Sequence, residues 1–211
     1  MIQVAIVDDH QIVRSGFREL LSEDSAIRIS FEAATGDAAL EQLRTTECDV
    51  LLLDISLPGK SGVEVLRTVR QRYSDLKVLI LSGFSEERYA LAMIKNGANG
   101  YLCKDCGQDE LLRAIHMVST GRRYVSPRTA ELLADEMIGE RSVEPHESLS
   151  DRELQVFLRL ARGESVSSIA ERLNLSVKTI STYRSRLTDK LNVGSNAELA
   201  TYALRRGLIA E

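Results

Sequence analysis

Residues 50–59 read VLLLDISLPG, four apolar residues followed by a carboxylate and then a turn. An unbroken apolar run is typical of a central parallel strand that is covered on both faces. An isolated buried charge is costly, so Asp54 at the end of the run needs water, a cation or a partner beside it. The stretch therefore predicts a buried sheet with polar chemistry at its carboxyl edge.

Short apolar runs alternate with segments of helical period along the first 120 residues. The predicted strands are 4–7, 27–33, 50–53, 77–81 and 100–103, and the predicted helices are 11–22, 37–44, 61–71, 86–95 and 108–119. Five strand-helix units indicate an α/β fold with a doubly wound parallel sheet. The flavodoxin-like (βα)5 arrangement, with strand order 2-1-3-4-5, is the economical topology.

The pattern becomes all-helical after residue 120. We predict three parts: a first domain at 1–121, a linker at 122–147 and a smaller all-α domain at 148–211. Ser126 before Pro127 is a helix-start signal, and it predicts a helix at 127–138 inside the linker. The polar stretch GERSVEPHES at 139–148 is predicted to be exposed.

The last third of the chain predicts four short helices. Ser150 begins a capping-box pattern for the first helix, and Ser165 and Ser176 are cap residues for the second and third. Residues 196–206 supply the fourth. The tight NLS turn between the second and third helices predicts a helix-turn-helix.

The composition, 44% hydrophobic and 27% charged among 211 residues, is that of an ordinary globular protein. No stretch approaches the ~18 consecutive apolar residues of a membrane span, and MIQVAIVDDH lacks the pattern of an export signal. We therefore expect a cytoplasmic protein without a membrane partner. Residues 148–211 carry 10 basic and 7 acidic side chains against an overall formal charge of -4, which favours a polyanion as the partner of this part.

The three cysteines are Cys48, Cys103 and Cys106. An odd number without an export signal argues against a disulfide framework. Cys103 and Cys106 form a CxxC, but a structural zinc site needs four ligands, and the three histidines lack finger-like spacing. We favour thiols in and beside a buried strand.

The functional crevice of a doubly wound sheet lies beyond the carboxyl ends of its strands. The residues at those ends are Asp8, Asp9, Asp54, Ser82 and Lys104. Three carboxylates together repel unless a cation joins them, and an all-oxygen site with an open side suits Mg2+. A hydroxyl and an ammonium complete a pocket for a phosphoryl group. Each residue alone also fits a helix cap or a solvated loop, so it is their order at successive strand ends that favours this site.

Residues 1–120 resemble a two-component response-regulator receiver domain through VDDH, LLLDISLPGKSG, LILSG and GANGYLCKD. Residues 148–211 are similar to the LuxR-type helix-turn-helix through LSDRELQVFLRLARGES and IAERLNLSVKTISTYRSRLTDKLNV. Together they resemble the NarL/FixJ family of transcription regulators over nearly the whole chain. Tyr183 stands where many members carry His. This tyrosine variant resembles the GacA/UvrY and BvgA branch.

The resemblance implies a phosphoacceptor and a cofactor. Asp54 would accept phosphate from a sensor histidine kinase, in a transcription regulator whose only catalysis is slow self-phosphorylation and dephosphorylation. Mg2+ would bind Asp9, Asp54 and the Ser56 carbonyl, with Asp8 contributing through water. Kinase and receiver would each supply half of the active site.

The resemblance also implies a switch. Ser82 and Lys104 would hold the phosphoryl oxygens, and Tyr101 would reorient when Ser82 moves. Tyr101 also fits an ordinary core aromatic at a strand end. The loop after Lys104 reads DCG where many receivers place a proline that fixes the lysine.

The helix after Ser176 has one apolar face and one face of hydroxyls and cations. The residues predicted to point inward are Val177, Ile180, Leu187 and Leu191. Short hydroxyl side chains flanked by cations let a helix sit deep in the major groove of double-stranded DNA. We predict base contacts from Ser181, Thr182 and Ser185, phosphate contacts from Lys178, Arg186 and Lys190, and Thr179 as a further member of this interface.

Useful specificity needs two such modules on half-sites about one turn (~10 bp) apart. Leu199, Tyr202 and Ala203 are candidates for the contact in a homodimer of the phosphorylated protein, and packing within their own domain is the alternative. RNA polymerase is a further candidate partner. Two other functions stay open: an Asp-nucleophile phosphatase that uses the same pocket, and a DNA-binding or scaffold protein that is independent of phosphorylation.

Overall fold

The computed structural model describes residues 1–83, 86–138 and 145–209. The chain divides into two compact units, Met1–Ala134 and Asp135–Glu211. Within the described ranges, every helix is too short or too polar to cross a bilayer.

The first unit is built on a five-stranded parallel sheet. Its strands are β1 (Ile2–Val7), β2 (Ile27–Ala33), β3 (Val50–Asp54), β4 (Lys77–Ser82) and β5 (Gly100–Cys103). Their order across the sheet is β2-β1-β3-β4-β5. The predicted flavodoxin-like topology is confirmed.

Five helices alternate with these strands and cover the sheet. They are α1 (Gln11–Ser22), α2 (Gly36–Gln42), α3 (Gly62–Arg72), α4 (Glu86–Lys95) and α5 (Gln108–Ser119). All five residues of β3 are buried, because its apolar run faces packed side chains on both sides of the sheet. Asp54, the last of them, is thereby held at the carboxyl edge.

Gly62 begins α3 close to the end of β3. Its backbone N–H donates to the Ile55 carbonyl at 3.0 Å, and a Cβ at this position would collide with the carbonyl oxygen of Asp54. Only glycine permits this approach, so the loop after the phosphoacceptor candidate folds back tightly against its strand.

The chain returns to the sheet after α5. Tyr124 forms a parallel bridge with Gly100 of β5, and its hydroxyl donates to Oε1 of Glu110 at 2.6 Å. The predicted connecting helix follows as α6 (Pro127–Ile138). Its first turn is capped, since Oγ of Ser126 accepts the Thr129 N–H at 3.1 Å.

Among its described residues, the second unit contains the end of α6, a 3-10 helix (Pro145–Ser148) and four further α-helices. These are α7 (Asp151–Ala161), α8 (Val166–Leu173), α9 (Val177–Leu191) and α10 (Asn196–Arg205). Ser150, Ser165 and Ser176 cap the first three of them as predicted. Phe157, which is fully buried, lies in the core of this small unit.

The prediction of an exposed linker at 139–148 is wrong at His146, whereas Pro145 is exposed as predicted. Residues 145–148 are helical, and His146 is buried, with Nδ1 2.9 Å from the Tyr202 hydroxyl. The hydrogen bond between the imidazole and the phenol compensates for the burial of this polar ring. The rest of that stretch, 139–144, lies outside the described residues, and the predicted domain limits at 121/122 and 147/148 stay predictions.

Candidate functional site

Three charged side chains meet at the carboxyl edge of the sheet, beyond the ends of β1, β3 and β5. Nζ of Lys104 lies 2.8 Å from Oδ2 of Asp54 and 2.6 Å from Oδ2 of Asp8. Asp54 is 1% exposed and Asp8 is 2% exposed. The parallel sheet thus brings together groups that are far apart in sequence, as the order of the strand ends predicts.

Burial and charge act in opposite directions on this cluster. Burial raises the pKa of Asp54 above its ordinary value, and the ammonium of Lys104 acts to lower it. For Lys104, burial opposes the charged form, but the carboxylates of Asp54 and Asp8 outweigh it and raise its pKa. Lys104 therefore stays protonated and balances part of the negative charge of the pocket.

Asp9 and His10 lie beside these buried groups and are more exposed. Nδ1 of His10 is 2.7 Å from Oδ1 of Asp9, and the His10 backbone N–H donates to Oδ1 of Asp8 at 2.8 Å. These residues and Asp54 offer ligand atoms that all lie within 4.8 Å of one another. A set made mostly of carboxylate oxygens with one open side fits a hard divalent cation.

His10 and Arg14 are parts of the site that the sequence reasoning missed. A guanidinium N–H of Arg14 donates to the Asp8 carbonyl at 2.7 Å, which holds the end of β1 against α1. The available signal for His10 was its position directly after two acidic residues. The signal for Arg14 was its place one helical turn later, on the same side of α1.

The remaining predicted site residues surround Asp54. The Ser56 N–H donates to Oδ1 of Asp54 at 3.1 Å, while the role of the Ser56 carbonyl stays a prediction. Ser82 is fully buried, and its carbonyl accepts the Lys104 N–H at 2.8 Å. Tyr101 is also buried: this burial raises its pKa, and a hydrogen bond with Ser82 acts in the opposite direction. The two predicted switch residues are therefore in contact.

The cysteines lie outside this cluster. All three are free and partly buried, and burial raises the pKa of both Cys48 and Cys106 to about 11. Among the described residues, the one group placed to hold a metal ion contains no cysteine. These observations favour the interpretation of ordinary thiols.

In the second unit, α8, a short turn and α9 form the helix-turn-helix. Asn174 ends α8 in the left-handed conformation, with φ 54°, and the Leu175 N–H donates to the Ala170 carbonyl at 2.8 Å. This αL ending reverses the chain within a few residues. Ser176 then caps α9, and its Oγ accepts the Thr179 N–H at 3.0 Å.

The exposed face of α9 is polar and basic, and its buried face is apolar. The buried residues are Ile180, Leu187 and Leu191. The exposed ones include Lys178, Ser181, Thr182, Ser185 and Arg186. Thr179 is half-buried, and its hydroxyl lies 2.8 Å from that of Ser176, so this side chain belongs to the helix cap.

One prediction on α9 is wrong, and another stays a prediction beside a contact within the domain. Val177, predicted to point inward, is 51% exposed, because the first helical residue precedes the turn that packs on the core. The phosphate contact of Lys190 stays a prediction, and in the structure its Nζ lies 2.7 Å from Oε2 of the buried Glu153. That carboxylate also completes the capping box of α7, so Lys190 ties α9 to the start of α7.

The predicted dimer contact is wrong for Leu199 and Ala203 and stays a prediction for Tyr202. Leu199 and Ala203 are completely buried within the second unit, so a second copy cannot reach them. Tyr202 is half-buried, and its ring packs edge-on against Phe157. Packing within the domain, the alternative prediction, accounts for the positions of Leu199 and Ala203.

Two family models match the chain. The response regulator receiver domain matches residues 4–116, and the luxR family of bacterial regulatory proteins matches residues 147–203. These two matches correspond to the acidic pocket and to the helix-turn-helix respectively.

Full-length relatives show the same combination. The response regulator UvrY of Escherichia coli (strain K12) is 39% identical over 209 residues, which cover 99% of this chain and 96% of that protein. The response regulator GacA of Pseudomonas aeruginosa (strain PAO1) is 36% identical over 210 residues, covering 99% and 98%. RcsB from Salmonella enterica serovar Typhimurium, solved on promoter P1flhDC with the phosphomimetic BeF3-, has a TM-score of 0.67 at 26% identity and covers 95% of this chain and 97% of its own.

Proposed function

The chain belongs to the two-component response regulators that combine a receiver domain with a LuxR-type DNA-binding domain, and from this we propose how its residues work. Asp54 accepts a phosphoryl group from a sensor histidine kinase, and the phosphorylated protein binds double-stranded DNA to regulate transcription. The observation that carries this proposal is the contact of Lys104 with both Asp54 and Asp8 in one buried pocket.

Asp54 acts as the nucleophile. One of its oxygens attacks the phosphorus of the kinase phosphohistidine, so that a P–O bond forms while the P–N bond breaks, and the departing imidazole takes a proton from solvent. Such a transfer depends on positioning and charge neutralisation rather than on elaborate acid-base groups. Lys104 opposes the effect of burial on the pKa of Asp54 before transfer and binds a phosphoryl oxygen after it.

A magnesium ion fits the pocket, because the ligand set is rich in carboxylate oxygens. Asp9, Asp54 and the Ser56 carbonyl would hold it, with Asp8 contributing through water. When bound, the ion offsets negative charge on the phosphoryl oxygens. The same groups support slow self-catalysed phosphorylation and dephosphorylation, and we propose no turnover of another substrate.

The switch follows from the contact between Ser82 and Tyr101. A phosphoryl oxygen on Asp54 attracts the Ser82 hydroxyl, and the buried Tyr101 hydroxyl must then adjust because it bonds to Ser82. This movement favours an alternative state of the α4 surface, which follows Ser82 closely in sequence. A shift of the ratio between the two states from 1:99 to 99:1 needs about 5.5 kcal/mol of differential stabilisation, so we expect a partial shift.

The partners follow from exposed surfaces. Ile12, 87% exposed, lies in the first turn of α1 next to the pocket and gives the sensor kinase an apolar contact. The basic face of α9 binds the DNA duplex, and two copies of the phosphorylated protein occupy neighbouring half-sites. We place this assembly in the cytoplasm, with RNA polymerase as a further partner.

Asparagine at position 54 tests the acceptor. We expect Asp54→Asn to abolish the uptake of labelled phosphate from acetyl phosphate with Mg2+, because the amide is a poor nucleophile. Asp75→Asn is the matched control, since Asp75 is exposed and precedes β4 at the opposite edge of the sheet, and it should retain full labelling. Equal labelling of both variants would move the acceptor to another residue.

Binding to a labelled duplex tests the gating. The duplex is one that the wild-type chain selects from a random pool. At fixed salt, the wild-type chain should bind it more tightly with phosphodonor than without it, whereas Asp54→Asn should show no difference. Identical affinity of the wild-type chain in both states would favour the phosphorylation-independent alternative.

A further inference from the structure

We propose that Val177 contacts the 5-methyl group of a thymine and so helps to select the bound sequence. This inference rests on the proposed binding of α9 to DNA. It adds an apolar contact to the exposed face of α9, where the other predicted contacts come from hydroxyl and basic side chains.

Val177 is exposed on the face that carries the polar contacts. It is the first residue of α9, directly after the cap residue Ser176. Its carbonyl accepts the Ser181 hydroxyl at 2.9 Å, which places the two residues one helical turn apart on the same face. Within the part of the chain that the structure describes, four large hydrophobic side chains are strongly exposed: Met1, Ile12, Val177 and Leu204. Val177 is the one that belongs to α9.

The local structure gives little reason for a valine here. β-Branched side chains lose rotamer freedom in a helix and lower its propensity, and acidic residues are the ones that stabilise a first turn. At 51% exposure, Val177 also gains only part of the stabilisation that core burial provides. A binding contact explains the residue better than the stability of the helix does.

Thymine offers the matching chemical group. The N-terminal residues of a recognition helix reach base edges in the major groove, and the thymine methyl is the apolar group on those edges. The other large aliphatic residues of α9, Ile180, Leu187 and Leu191, are buried in the domain core. Val177 is therefore the aliphatic side chain of this helix that can meet such a methyl.

The neighbouring hydroxyls strengthen the preference for an A·T pair. Ser181 and Thr182 donate their hydroxyl protons to the carbonyls of Val177 and Lys178, at 2.9 and 3.0 Å. Their oxygens are thereby left as acceptors on the exposed face. An acceptor beside an apolar group complements the adenine amino group and the thymine methyl of one base pair.

Replacing thymine by deoxyuridine tests the contact, because this change removes only the methyl group. A duplex selected from a random pool by the wild-type chain is prepared with each thymine replaced singly. At one thymine in each half-site, wild-type binding should weaken by about fourfold, the value of one buried methyl-sized group. Val177→Ala should bind more weakly overall and should be insensitive to that one replacement. Its fold is checked by circular dichroism, and alanine favours the helix.

Leu204→Ala is the matched control, because it shortens another exposed aliphatic side chain outside α9 and should keep the wild-type sensitivity. If Val177→Ala retains the wild-type sensitivity at every thymine, the inference is overturned while the proposed function stands. If the wild-type chain selects no duplex with or without phosphodonor, the proposed DNA binding fails and this inference fails with it.

Discussion

At the scale of a single residue, Gly62 sets the geometry around Asp54, the proposed phosphoacceptor. Its missing side chain lets the start of α3 lie against the carbonyl of Asp54. We expect Gly62→Ala to destabilise the first unit by about 1–3 kcal/mol, because the added methyl forces the backbone apart. Urea unfolding measures this loss, and labelling from acetyl phosphate should fall as well.

Gly16→Ala is the matched control for this substitution. Gly16 lies inside α1, and a Cβ there would meet no atom within 4 Å. Alanine should therefore stabilise the helix by about 0.5–1 kcal/mol through its higher propensity. Equal effects of the two substitutions would show that the close approach at Gly62 has no energetic importance.

The amino-acid sequence predicted the positions of the pocket residues well and those of residues in the second unit less well. Asp8, Asp54 and Lys104 could be placed because parallel strands end at one edge, so position along the chain determines position in space. The exposure of Val177 and the burial of Leu199 could not be predicted in this way. Helical period specifies which residues share a face of a helix, but not which of them the neighbouring helices cover. Lys190 likewise had no signal for its contact with Glu153, which depends on how α7 packs on α9.

At the scale of elements, Glu153 connects two helices of the second unit. Burial opposes ionisation of its carboxyl group, but the hydrogen bonds from Lys190 and Ser150 outweigh burial and lower its pKa. A group whose pKa is lowered by folding stabilises the protein above its ordinary pKa and loses this effect as the pH falls through the lowered value. Glu153 therefore stabilises the helical unit at neutral pH.

Replacing this carboxylate should expose its contribution. We expect Glu153→Gln to lower the free energy of unfolding by about 1–3 kcal/mol at pH 7, because charged hydrogen bonds are lost. The difference from wild type should shrink as the pH falls below the ordinary value of 4.5. Denaturant unfolding across pH measures it, with the exposed Glu171→Gln as a control that should change stability by less than about 0.5 kcal/mol. A difference that is constant with pH would contradict the ionic origin.

The elements themselves were predictable wherever local signals agreed. Serine caps marked the starts of α7, α8 and α9, and apolar runs marked the strands. The 3-10 helix at Pro145–Ser148 was missed because its sequence is polar. One of its residues, His146, contacts Tyr202, which is distant in sequence, and composition alone contains no sign of this contact.

At the scale of the whole molecule, charge is distributed unevenly, with a net acidic chain ending in a basic domain. Lys178 is exposed on α9, whereas Lys190 is held by Glu153. We expect Lys178→Ala to reduce the slope of log K against log salt by about 1, because one phosphate contact is lost. Lys190→Ala should leave the slope nearly unchanged and should reduce stability instead. An equal reduction of the slope in both variants would instead support the predicted phosphate contact of Lys190.

The return of Tyr124 to the sheet has a consequence for solubility. A parallel sheet ends in two edge strands whose unpaired backbone groups invite another chain to add a strand. Tyr124 occupies part of that position beside β5, since its N–H donates to the Asn99 carbonyl at 2.8 Å and its backbone bridges to Gly100. The same few residues that lead the chain toward its DNA-binding half therefore also obstruct edge-to-edge aggregation. A substitution or deletion in this connection should make the protein prone to self-association.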